Sequence, residues 1–156
     1  MDILFYAPQR YNNLCLHARS LEIFGIQRAD VYDRYGLFMD KYPENTRKRI
    51  NSMSAGGFFK IEWILVDEPI QTVQNWPGRT WATVAESQGQ SLYDFQFEST
   101  DLLIMGQESS GLPDELIQAC SGGITIPAYG QTVSLNVGVA TGIFLYEASK
   151  QLRSKH

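Results

Sequence analysis

Along this chain, short blocks of consecutive apolar residues alternate with longer stretches whose apolar positions recur every three or four residues. The first pattern predicts buried strands and the second amphipathic helices. Ile3, Leu4, Phe5 and Tyr6 form the first block, ended by Pro8, which a central strand does not admit. Asn12 or Asn13 then caps a helix to about residue 24, with Leu14, Ala18, Leu21 and Phe24 on one face and Gly25 as its stop. A second strand begins at 29–32, a short basic helix covers 44–51, and Ser54, Ala55, Gly56 and Gly57 break it. Residues 58–66 hold another strand, Asp67 caps a helix to about 76, and 80–85 returns as strand. Leu102, Leu103, Ile104 and Met105 make the clearest buried strand. Pro113 opens a helix to about 120, as proline at a first helical position does. A last strand occupies 123–127, and 135–152 is one long final helix.

This alternation predicts an α/β architecture, a mainly parallel sheet with helices on both faces and ligands at the carboxyl ends of the strands. At 156 residues the chain suits one domain, 1–156, with one core. A content of 44% hydrophobic and 19% charged residues describes a soluble globular protein, and no apolar run nears the roughly 20 residues of a membrane helix. The acidic second residue, Asp2, argues against a signal peptide, so a cytoplasmic protein is expected. Two cysteines, Cys15 and Cys120, and two histidines, His17 and His156, are too few and too scattered for a metal centre.

A net charge of −4 excludes a protein that coats nucleic acid by charge alone, and no DNA partner is expected. The charge is nevertheless uneven. Residues 1–60 carry nine Lys/Arg against six Asp/Glu, and residues 61–156 carry four against eleven. Arg10, Arg28, Arg34, Arg47, Lys48 and Arg49 are therefore candidates for holding a phosphate chain locally.

Three segments carry the candidate chemistry. In the first, Arg19 interrupts an apolar run six residues after Asn13. A charge there needs an anion, a partner or a wet cleft, unless it snorkels from the helix flank. In the second, the strand ending at Met105 runs into Gly106, Gln107, Glu108, Ser109, Ser110, Gly111 and Leu112. Glycines just after a strand admit close approach of a ligand to backbone. This is neither a dinucleotide fingerprint nor a P-loop, and Glu108 would repel phosphate. The third runs from Ile126 and Pro127 through Ala128 to Ser134, Leu135, Asn136 and Val137, with Ser134 where a helix cap belongs.

Taken in order, these segments resemble the signature motifs of the SPOUT superfamily, in particular its TrmH/SpoU family of S-adenosylmethionine-dependent RNA 2′-O-ribose methyltransferases. The first motif of that family meets Asn13, Arg19, Ser20, Phe24 and Gly25; the second meets Gly106, Glu108, Gly111 and Leu112. The third meets Ile126, Pro127, Ser134, Leu135, Asn136 and Val137. Two positions depart from it: Cys15 stands where glycine is usual, and Gln107 where Asn, Ser or Pro is commoner.

The resemblance implies a C-terminal deep trefoil knot, which topology rules alone would not suggest. It implies S-adenosylmethionine held by three loops, with Val84, Ala85, Gly106, Gly111, Ile126, Ala128, Ser134 and Leu135 as cofactor-binding residues. Arg19, Asn13, Glu108, Ser134 and Asn136 are the implied catalytic set. The family gives the counterpart of Arg19 the role of base toward the ribose hydroxyl. A guanidinium seldom surrenders its proton, so donation to a developing alkoxide or a neighbouring phosphate is the physical reading. The implied substrate is RNA, tRNA rather than rRNA, bound by a homodimer whose face is the final helix with Val139, Ile143 and Phe144. Tyr146 on that helix is expected to pack. An inactive RNA- or cofactor-binding SPOUT protein and a SPOUT base-N-methyltransferase are the alternatives.

Overall fold

The computed structural model describes residues 1–85, 88–132 and 134–153; His156, named above, lies outside them. Its strands are β1 (Asp2–Tyr6), β2 (Arg28–Tyr32), β3 (Glu62–Leu65), β4 (Thr80–Thr83), β5 (Gln90–Ser91), β6 (Leu102–Met105) and β7 (Gly122–Thr125). They form one sheet in the order β3-β2-β1-β6-β4-β7-β5, and every ladder in it is parallel. The helices are α1 (Tyr11–Ile23), α2 (Glu44–Met53), α3 (Pro69–Gln74), α4 (Asp114–Ala119) and α5 (Val137–Arg153), with a 3-10 turn at Gly57–Lys60. Among the described residues no helix is long and apolar enough to cross a membrane.

Strands buried on both faces read as continuous apolar blocks, which is why the central ones were legible. Ile3, Phe5, Leu103 and Met105 point to one face, where Leu21 of α1 and Phe144, Leu145 and Ala148 of α5 cover them. Leu4, Leu102, Ile104 and Ala82 point to the other, under Val73 of α3 and Leu116 of α4. The far side of α1 presents Leu14, Cys15 and Ala18 to Ile50 of α2 and to Phe58. At the amino-terminal edge of the sheet, Arg79 clamps the buried Asp101 through two bonds of 2.8 Å. That leaves the carboxyl edge free for loops with other work.

The helix starts differ from those the sequence predicts. The first helix begins at Tyr11 with Arg10 as cap residue, so neither Asn12 nor Asn13 caps it; Asn13 is already helical and buried. The third begins at Pro69 after Glu68 rather than being capped by Asp67. Pro113 is the cap residue of α4, in extended conformation, instead of its first helical residue. The final helix starts at Val137, and Ser134 is exposed in the preceding loop. Phe144 belongs to the core and Ile143 packs against it, which removes Phe144 from the expected dimer face. β5 was not foreseen, because two residues carry no periodicity.

Candidate functional site

The carboxyl ends of β4, β6 and β7 open into a cavity of about 1000 Å³. Its walls are the loops that follow these strands, and Phe144 and Ala140 of α5 complete them. Val84, Ala85, Gly106, Gly111, Ile126, Ala128, Ser134 and Leu135 all line it, as do Glu108 and Asn136. Among the described lining residues Glu108 is the one charged side chain, and neither lysine nor arginine is present.

The turn after β6 is built by close backbone approach. Gln107 and Gly111 exchange two hydrogen bonds of 3.1 Å in a small antiparallel bridge. Gly111 has φ +67°, and a Cβ on Gly106 would stand 2.7 Å from the Gly111 carbonyl carbon. Both positions therefore demand glycine for reasons of backbone shape. The turn sets Glu108 beside α1. Its Oε1 accepts from Asn13 Nδ2 at 2.9 Å, and its Oε2 accepts from the backbone N–H of Gln9 at 2.9 Å.

Asn13 passes the connection on. Its Oδ1 accepts from Asn136 Nδ2 at 3.0 Å, and Asn136 Oδ1 in turn accepts from the N–H groups of Gly138 (2.9 Å) and Val139 (3.3 Å). Asn136 is thus the cap of α5, the role the sequence offered to Ser134. One amide relay, Glu108–Asn13–Asn136, ties the first, second and third segments together at the cavity rim. Gln9 was missed by sequence reasoning because it contributes a backbone group, which no side-chain pattern announces. It is aimed by a reversal at Ala7, where φ is +49° and the N–H donates to Tyr32 O.

Arg19 is not brought to this relay. Six residues along a helix is about 9 Å of rise and a turn of about 240°, so it leaves from a different face than Asn13. It lines a shallow groove between α1 and α5 with Leu16, Ser20, Ile23, Phe24, Gly138, Val139 and Gly142. Leu16, Ile23 and Val139 are exposed there, Ile23 at 74% and Val139 at 51%. Tyr146 is exposed too, with its ring edge-on to Phe24 at 6.4 Å.

Of the two departures from the family pattern, Cys15 lies away from the cavity and Gln107 lines it. Cys15 is buried in the α1–α2 seam, with Sγ 3.7 Å from Ile50 O, and burial pushes its thiol up to about 11. It fills a packing space and is no nucleophile. Gln107 offers its backbone to the turn and its side chain to Ser110 and Tyr35.

Comparison with known proteins decides the lineage. The profile of the SpoU rRNA Methylase family matches residues 1–146. The chain belongs to this family. A relative, the tRNA (guanosine(18)-2′-O)-methyltransferase of Aquifex aeolicus (strain VF5), is 32% identical over 120 residues, 73% of this chain and 56% of that protein. The chain spans about half the length of the curated relatives it matches. Among solved structures, one described as giving insight into the 2-OH methylation of C/U34 on tRNA superposes with a TM-score of 0.80 at 27% identity, covering 98% of this chain and 96% of that one. The SpoU methyltransferase AviRb from Streptomyces viridochromogenes, in complex with AdoMet, gives a TM-score of 0.79 at 26% identity over 99% of this chain and 58% of its own. The mainly parallel α/β sheet of this SpoU family member is that of the SPOUT methyltransferases.

Proposed function

We propose that residues 1–156 form a single SPOUT domain that methylates a ribose 2′-oxygen of RNA, tRNA rather than rRNA, with S-adenosylmethionine as donor. The observation that carries this reading is the cavity itself: spacious, walled by three loops at strand carboxyl ends, without a lysine or arginine among its described lining. A phosphate-bearing cofactor would find no counter-charge there. A donor whose reactive centre is cationic, and whose adenine is read by backbone groups, fits a wall of glycine, alanine and aliphatic residues. The relatives named for 2′-O-methylation of RNA support the same chemistry. The tRNA preference rests on the likeness that covers both chains almost completely.

When bound, S-adenosylmethionine supplies an activated methyl group. The residues of this chain supply position and charge. Val84, Ala85, Gly106, Gly111, Ile126, Ala128, Ser134 and Leu135 hold the donor, and the Glu108–Asn13–Asn136 relay fixes the loops against α1, so the pocket needs little reorganisation during transfer. Asn13, Glu108 and Asn136 are positioning residues on this reading. Ser134, exposed at the rim, orients the incoming ribose. Arg19 acts as a hydrogen-bond donor to the oxygen or to an adjacent phosphate.

Arg19 reaches such a substrate through a second copy of the chain. The α1–α5 groove that carries it is apolar at Leu16, Ile23 and Val139, which suits pairing across a two-fold axis. The last strand, β7, enters between β4 and β5 before α5 returns to α1, an order compatible with the knotted SPOUT path. A cytoplasmic setting agrees with the two free cysteines, Cys15 and Cys120.

The deciding experiment incubates the protein with methyl-labelled S-adenosylmethionine and, separately, bulk tRNA and bulk rRNA, then digests the RNA with alkali. Label in alkali-resistant dinucleotides from tRNA is the expected result, since a 2′-O-methyl group blocks cleavage. Label on bases, label in rRNA alone, or no transfer overturns the proposal.

A further inference from the structure

Beside the cavity, on the side of β1 and β2, the loop after β2 is held rigid by its own first residue. The Asp33 carboxylate accepts from the N–H groups of Leu37 at 2.9 Å and Phe38 at 2.8 Å, closing a turn whose tip is Tyr35 and Gly36. Tyr35 is 47% exposed. Its hydroxyl sits between Gln9 Nε2 at 3.3 Å and Gln107 Oε1 at 3.4 Å. These two residues are parts of the site: Gln107 lines the cavity, and the backbone of Gln9 holds Glu108. The phenol end is therefore tethered to the rim, while among the described residues no aromatic ring stacks on the other faces of Tyr35.

A single exposed tyrosine needs no explanation. Here it has cationic company. Arg10 and Arg34, both exposed, lie one residue from Gln9 and Tyr35 in the chain, and neither takes part in an ion pair among the described residues. A tethered aromatic ring with unneutralised guanidiniums on residues next to it and to its tether in the chain is a combination that can hold an unpaired nucleotide: the ring stacks a base and the cations take flanking phosphates.

We infer that Tyr35 is a base-stacking residue that, with Arg10 and Arg34, grips a nucleotide next to the one presented to the cavity, so that the substrate must be single-stranded there. The inference rests on the RNA methyltransferase reading and narrows its substrate to an unpaired, splayed segment such as a loop. A continuous duplex keeps its bases stacked on one another and offers no face to Tyr35.

The test uses a synthetic RNA stem–loop with a seven-nucleotide loop, carrying 2-aminopurine at each loop position in turn, titrated with the full chain and S-adenosylmethionine. Wild-type protein quenches the probe at one position. Tyr35→Ala abolishes that quenching and weakens RNA affinity about five- to a hundredfold, the weight of one lost stack, with S-adenosylmethionine affinity unchanged. Tyr35→Phe keeps both. Arg34→Ala reduces the slope of affinity against salt by about 1. No quenching by wild-type protein, equal quenching by Tyr35→Ala, or loss in Tyr35→Phe as large as in Tyr35→Ala overturns the inference; the last assigns the residue to its hydroxyl tether. Quenching without methyl transfer to any RNA leaves the stacking surface standing and overturns the methyltransferase reading, whereas transfer by Tyr35→Ala with an unchanged KM for RNA does the reverse. A variant that loses only the binding of another protein, with RNA quenching intact, also overturns it.

Discussion

At the scale of single residues, His17 shows how burial converts a titratable group into structural material. Its Nδ1 lies 3.0 Å from Thr141 Oγ1, and that hydroxyl donates its one proton to Val137 O at 2.8 Å. The hydroxyl therefore accepts from Nδ1–H, which assigns the neutral tautomer. Enclosed beneath α5 and against Phe5, the imidazole has its pKa pushed down to about 3 by desolvation. The unfolded chain takes up the proton near pH 6.5 while the folded one does not, so the unfolded state is favoured progressively as pH falls through this window. The stability is whole above pH 6.5 and drains toward pH 3, at no more than about 1.4 kcal/mol per pH unit. Between pH 7.5 and 5.0 this residue should cost about 2 kcal/mol. Urea unfolding at the two pH values checks it: His17→Gln is expected to lose that part of the pH dependence, and an unchanged slope would refute the assignment.

At the scale of elements, the start of α5 carries the most consequence. Asn136 spends its oxygen on Gly138 and Val139 and its nitrogen on Asn13, so helix capping and site assembly share one side chain. Asn136→Ala should cost about 1 kcal/mol for the lost cap, and more for the stranded Asn13 carbonyl. Asn136→Asp keeps the cap acceptors but loses the donor to Asn13. Chemical denaturation should place it between wild type and Asn136→Ala in stability, while methyl transfer suffers about equally in both; full activity in Asn136→Asp would separate the relay from catalysis. The same element explains what the sequence could and could not disclose. Leu102 to Met105 and Ile3 to Phe5 announced themselves because both their faces are covered, and Glu44 to Met53 because its charges face water. Cap positions misled, since propensity nominates Asn13 and Ser134 from local chemistry. The partners of Asn13 lie 95 and 123 residues away, and tertiary bonds of that range leave no local trace. The motif residues of the cavity wall were legible for the opposite reason: Gly106 and Gly111 answer a demand made within their own turn.

At the scale of the whole molecule, the displacement of Arg19 from the cavity is the feature that most needs an assembly. Gly138 lets α5 lie close on α1: a Cβ there would stand 2.8 Å from the Leu16 Cβ. The groove between the two helices exposes Leu16, Ile23 and Val139 around Arg19, an apolar setting for the catalytic role proposed for that guanidinium in a lone chain. In the proposed dimer, pairing of two copies here would bury that patch and carry each Arg19 toward the partner's cavity. Val139→Asp should then shift the protein from dimer to monomer in sedimentation and remove methylation, with S-adenosylmethionine still bound. Arg19→Ala should likewise abolish transfer and leave donor affinity nearly intact, but keep the dimer. Arg19→Ala and Glu108→Ala, each inactive alone, should regain about a quarter of wild-type turnover when unfolded together and refolded, because random reassortment of a two-fold dimer leaves about one intact composite site in four. Mixed dimers, verified by differential tagging, that show no recovery would confine Arg19 to its own subunit and require the substrate, instead of the partner, to span the distance along α1.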